Sequence, residues 1–117
     1  RRDGIPKSPW IHVLECDLSD LRSLEGSLEG YDTFFHFAWD GTYGEARNDM
    51  YLQNKNVRAV LDAVHLAKSA GCRTFLGAGS QAEYGRVDGV KLGPDTPVHP
   101  ETGYGIGKLS VIIMIRL

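Results

Sequence analysis

The sequence has little of what would mark a disulfide scaffold, a metal centre or a nucleic-acid binder. Only two cysteines occur in 117 residues, Cys16 and Cys72, and they form no C-x-x-C pair. That excludes a disulfide framework and a C-x-x-C redox or zinc motif; two buried thiols in a reducing compartment are expected instead. The four histidines, His12, His36, His65 and His99, share no ligand spacing, and no metal is assigned. Charge of one sign is also lacking. With 13 basic against 15 acidic residues the net charge is −2, so no positive field exists to attract nucleic acid or an anionic membrane. No apolar run reaches membrane length, and no charged stretch followed by an apolar run opens the sequence, so the cytoplasm is the expected compartment. At this length the chain is one domain or less.

What is present alternates between two hydrophobic periods. Residues 10–16 read as a short strand, and residues 17–28 carry Leu18, Leu21, Leu24 and Leu28 at helical spacing. Residues 31–39 form an aromatic-rich strand, whose Tyr31, Phe34, Phe35, Phe37 and Trp39 are expected to pack in core and loop. Residues 48–70 predict a long helix with a stripe of Val57, Val60, Leu61 and Val64 and a stop at Gly71. A third strand spans 73–77, a loop with Pro94, Pro97 and Pro100 spans 85–103, and a final helix follows. Alternation of this kind implies an α/β fold with parallel strands joined by right-handed crossovers and sites at their carboxyl ends.

That final helix carries the most informative stretch, Tyr104-Gly-Ile-Gly-Lys108. Four residues make about one helical turn, so phenol and ammonium leave the same face. A tyrosine is a poor base at neutral pH, and a positive charge beside it favours the phenolate. The pair suits proton transfer in alcohol/ketone interconversion. The alternative is an exposed Tyr and Lys on a surface helix.

Five motifs stand in one order: Cys16-Asp17-Leu18, His36-Phe37-Ala38, Asn56-Val57, Gly79-Ser80-Gln81-Ala82-Glu83-Tyr84-Gly85 and Pro100-Glu-Thr-Gly-Tyr104-Gly-Ile-Gly-Lys108. Together they resemble the extended short-chain dehydrogenase/reductase superfamily, in its NAD-dependent epimerase/dehydratase family and the nucleotide-sugar epimerases and reductases there. Ser80 and Tyr104 lie 24 residues apart, as that family requires. The resemblance implies a partial Rossmann-like, doubly wound parallel sheet holding strands 3, 4 and 5 of the family fold in three α/β/α layers. Catalytic roles are implied for Ser80, which would orient the reacting oxygen, for Tyr104, which would carry the proton, and for Lys108, which would hold the nicotinamide ribose. Contacts to NAD or NADP are implied for Asp17, Leu18, Phe37, Ala38 and Asn56, along with Tyr104 and Lys108. Asp17 reads equally as a helix N-cap, Ser80 as a turn residue after Gly79, and Asn56 as a solvated helix position.

The activity so implied is NAD(P)-dependent oxidation, reduction or epimerisation at a carbinol carbon of a nucleotide sugar, in a homodimeric parent protein. The alternative is a non-catalytic nucleotide-binding or redox-sensing scaffold of the same fold. The family's glycine-rich loop, which binds pyrophosphate at a helix N-terminus, does not precede Trp10. Gly77-Ala-Gly79 lacks a third glycine, and Gly103-Tyr-Gly105-Ile-Gly107-Lys108 lacks the first glycine and the final Ser/Thr of a phosphate loop. Residues 1–117 are therefore expected to be the middle of one NAD(P)-binding domain, without the glycine-rich βαβ unit and the substrate lobe. Val111 to Ile115 is expected to be an element that continues further.

Overall fold

In the computed structural model, residues 4–89 and 91–116 are described. Two of the expected strands pair in parallel, β1 (Thr33–His36) and β2 (Thr74–Gly77), with Phe34 opposite Phe75 and Phe35 opposite Leu76. Parallel neighbours need a long crossover, and α1 (Met50–Ser69) supplies it. Asp49 starts α1 by accepting the Tyr51 and Leu52 amide hydrogens at 3.0 and 3.1 Å. Gly71, at φ +83°, ends it in the left-handed conformation that favours glycine.

The buried face of α1 includes Gln53, Asn56, Val57, Val60, Ala63 and Ala67, a three-and-four spacing. Val57 and Val60 stand as expected, but Leu61 is 38% exposed. One residue turns the helix by about 100°, which carries Leu61 off the stripe that Val60 defines. A second helix, α2 (Gly103–Met114), begins where the Thr102 hydroxyl accepts the Gly105 amide at 3.1 Å. Val57 and Val60 of α1 meet Val111 of α2, with Trp39 and Phe75 packed against them. Both helices therefore cover the Phe75 face of the sheet. The opposite face, with Phe35 59% and Leu76 45% exposed, has no helix over it among the described residues. The α/β class and the parallel pairing stand; the layering seen here is one-sided.

The amino-terminal elements differ from expectation. Residues 10–16 form no strand. A strand needs a neighbouring strand for its backbone groups, and the described strands β1 and β2 pair with each other. The side chains of the 10–16 segment stay in solvent: Trp10 is 89% exposed and Leu14 56%. Cys16 is exposed for the same reason, and Cys72 is only half-buried, so neither is the buried thiol expected. The radius of gyration, 16.0 Å, exceeds the roughly 13 Å of a compact 100-residue domain. The expected α-helix over 17–28 is a 3-10 helix at Leu18–Leu24, broken at Asp20 (φ −123°, ψ 18°). Ser23 and Ser27 hydroxyls donate to the Asp20 and Leu24 carbonyls, each at 2.7 Å, a local competition that weakens α-helix. Leu18, Leu21 and Leu24 still turn inward, half-buried. His65 of α1 lies 3.3 Å from Glu25, which follows this helix.

Candidate active site

Three glycines alternate through the first turns of α2, and close neighbours crowd each of them. A Cβ at Gly105 would collide with the Ala82 carbonyl, and one at Gly107 would sit 3.2 Å from Cζ2 of Trp39. The backbone of α2 can therefore press onto the turn after Ser80 and onto the Trp39 ring, with Tyr104 and Lys108 bracketing the contact. Burying the ammonium makes Lys108 only 6% exposed. Its Nζ donates to the Ala78 carbonyl at 2.7 Å and lies 4.1 Å from the centre of the Trp39 ring, inside cation–π range. Desolvation pulls the Lys108 pKa below the ordinary lysine value, and the Glu83 carboxylate partly offsets this.

Tyr104 is half-buried, edge-on to Trp39 with centroids 5.9 Å apart and planes at 84°. Two cations flank its ring: the Arg47 guanidinium at 4.5 Å and the Lys108 ammonium at 5.8 Å from the centroid. Ser80 caps a 3-10 turn, Gln81–Glu83; its hydroxyl accepts the Ala82 amide at 3.2 Å, and Glu83 accepts the Ser80 amide at 2.7 Å. Ser80 is thus a turn residue as well as a candidate for orienting substrate. Glu83, 6% exposed, is held in this capping box.

Five of the seven residues expected to meet the cofactor share a cleft, whereas Tyr104 and Lys108 do not line it. Asp17, Leu18, Phe37, Ala38 and Asn56 line one cleft of about 790 Å³ together with Trp39 and Asp40. Phe37 is 69% exposed, an apolar face open to a planar ligand. Asp17 is also the N-cap expected of it, accepting the Ser19 amide at 2.8 Å and hydroxyl at 2.6 Å; these bonds lower its pKa. Asn56 is not solvated. It is 4% exposed and clamps Asp40 twice, accepting its N–H at 2.9 Å and donating to its carbonyl at 2.8 Å.

Gln53 is the residue that sequence reasoning missed. It is 1% exposed; its Nε2 donates to the Gly41 and Ala46 carbonyls at 3.0 and 2.9 Å, and its Oε1 accepts the Trp39 indole N–H at 2.8 Å. A polar pair at 53 and 56 on the helix face that also carries Val57 and Val60 was the available signal. His36, 7% exposed, leaves Nε2 without a partner among the described residues. Burial holds its pKa below the usual histidine value, and the Lys108 charge lowers it further.

A family model of the NAD dependent epimerase/dehydratase family matches residues 1–117. The chain belongs to this family. A crystal structure of UDP-galactose 4-epimerase is similar to it, with a TM-score of 0.72 and 27% identity over 84% of this chain. The match spans 33% of that structure's chain, about a third of its length. No curated protein matches. Among the described residues no helix is long and apolar enough to cross a membrane.

Proposed function

We propose that the complete protein is an NAD(P)-dependent epimerase or ketoreductase acting at a carbinol carbon of a nucleotide sugar. The observation that carries this reading is the meeting of Tyr104 and Lys108 on Trp39, beside both the Ser80 turn and the cleft holding Asp17, Phe37, Ala38 and Asn56. Leu18, Phe37 and Ala38 supply apolar surface for the adenosine end of the cofactor, Asp17 a hydrogen-bond acceptor, and Lys108 donors for the ribose. When bound, the nicotinamide accepts or returns the hydride. Tyr104 moves the hydroxyl proton, and Ser80 orients the reacting oxygen toward it. A non-catalytic scaffold fits less well, because burying an ammonium is costly unless the position serves a purpose.

In the same reading the chain is the central part of a cytoplasmic, homodimeric enzyme's nucleotide-binding domain. The apolar groove between α1 and α2, with Met50, Val57, Ile106 and Met114 along it, supports the dimer. Elimination of water is not part of the activity. Related sugar dehydratases resemble one another in carrying two carboxyls where this chain has Gln81 and Ala82, and Glu83 is committed to the Ser80 amide.

The test is turnover of nucleotide hexoses by the complete protein, followed as cofactor reduction and as epimer formation. Epimer or keto-sugar product supports the reading, and a 4-keto-6-deoxy product would overturn the exclusion of dehydration. Calorimetric titration of the 117-residue chain with NAD and NADP should show binding weaker than micromolar, since backbone N–H groups of a glycine-rich turn are missing for the pyrophosphate.

A further inference from the structure

Trp39 touches both members of the candidate proton-transfer pair, and its own position is fixed from three sides. The Gln53 amide can face the indole in one orientation only. Reversed, its NH2 would meet the Trp39 N–H, and its oxygen would meet the Gly41 and Ala46 carbonyls. The backbone beyond the ring is held by the two Asn56–Asp40 hydrogen bonds. The far edge of the ring rests on α2 at Gly107, where an added Cβ would sit 3.2 Å from it. On this anchored surface Lys108 lies over the face at 4.1 Å and Tyr104 stands against the ring at 84°.

We infer that Trp39 is a positioning residue for the Tyr104–Lys108 pair, with Gln53 as its anchor. The ring has a negative face and a positive edge. The face attracts the ammonium, while the packing of ring on ring restrains the phenol. Lys108 has three N–H donors; one is used on Ala78, and the Trp39 face steadies the head while leaving donors for a ribose. This role rests on the functional reading above, but the contact itself does not.

The contact is therefore tested first and without turnover. The chain has two tryptophans, so Trp10→Phe leaves Trp39 as the sole tryptophan, whose emission is excited selectively at the red edge of the absorption band. In that background Lys108→Met should change the emission yield and maximum, while Lys68→Met, at an exposed lysine, should not. Identical spectra for Lys108→Met and its parent would overturn the inference. In the complete protein Trp39→Leu should lower kcat by about 10- to 100-fold, as small misplacements of catalytic groups do, with KM little changed. Trp39→Phe, which keeps an aromatic face, should recover most of that loss. Gln53→Met, which frees the indole N–H but keeps the ring, should fall between them. If Trp39→Leu does not fold, the Trp39→Phe and Gln53→Met pair carries the test. Parent-like kcat in folded Trp39→Leu or in Gln53→Met would assign Trp39 to stability alone and overturn the inference. Absence of turnover with every nucleotide sugar would instead sink the functional reading, leaving the spectra to decide the contact.

Discussion

The turns around Trp39 and the segment from Trp10 to Cys16 carry similarly apolar sequence, yet one is locked and the other stands in solvent. Around Trp39, two residues of α1 make six hydrogen bonds to the loop and to each other. Around Trp10 the nearest ordered feature is a turn in which the Ile11 amide donates to Ser8 at 3.1 Å, and Ile11, Val13 and Leu14 are 43%, 45% and 56% exposed. Apolar side chains alone do not order a strand. The difference lies in the backbone. The loop at 38–41 finds partners for its polar groups on one helix face, whereas an extended segment must find them on a neighbouring strand.

The largest expected effect falls at the ordered end of this comparison. Tyr104→Phe in the complete protein should lower turnover by about 10²- to 10⁴-fold, the usual cost of removing a general acid or base, with cofactor affinity nearly unchanged. Steady-state kinetics beside a binding titration checks it, and activity within a few-fold of the parent would remove Tyr104 from the mechanism.

Next in size is Gln53→Leu. The loss would leave two carbonyls and an indole N–H without the partners they have in the fold. Each unsatisfied buried group costs about 1–3 kcal/mol, and partial rehydration of the loop lowers the sum. Destabilisation of about 2–4 kcal/mol by urea unfolding is expected; a change under about 0.5 kcal/mol, the usual surface value, would show that the network is ornamental.

A third expectation sharpens the comparison through pH. His36 has a folded pKa below its unfolded value, from burial first and Lys108 second. The unfolded chain therefore binds more protons as pH falls below the ordinary histidine range. Its contribution to stability is fully present above about pH 6.5 and is lost on acidification toward the lower folded value. Thermal melts should thus weaken from pH 7 toward pH 5, and His36→Phe should flatten that slope. An unchanged slope would mean that His36 is solvated.

The smallest effect belongs to the other region. Leu14→Ser should change stability by less than about 0.5 kcal/mol, as for other exposed positions, and the amides of 12–14 should exchange with solvent far faster than those of α1. Strong protection there would show that the segment finds a strand partner in solution.

Much of this was legible in the chain. The order of β1, α1, β2 and α2 follows from apolar spacing, because periods of two and of three to four each bury one face. Gly71 signals the end of α1, because glycine takes a positive φ at little cost, and Tyr104 and Lys108 share a face by helical geometry alone. Leu61, the strand at 10–16 and the solvated reading of Asn56 went the other way. Periodicity says which residues turn inward together but not what they meet, so only the tertiary structure could set Gln53 against Trp39, or bring residues 17, 37 and 56 to one cleft. Local sterics are written residue by residue. Partnerships between distant segments arise only when the topology has brought both sides together, and the sequence of either side alone does not contain them.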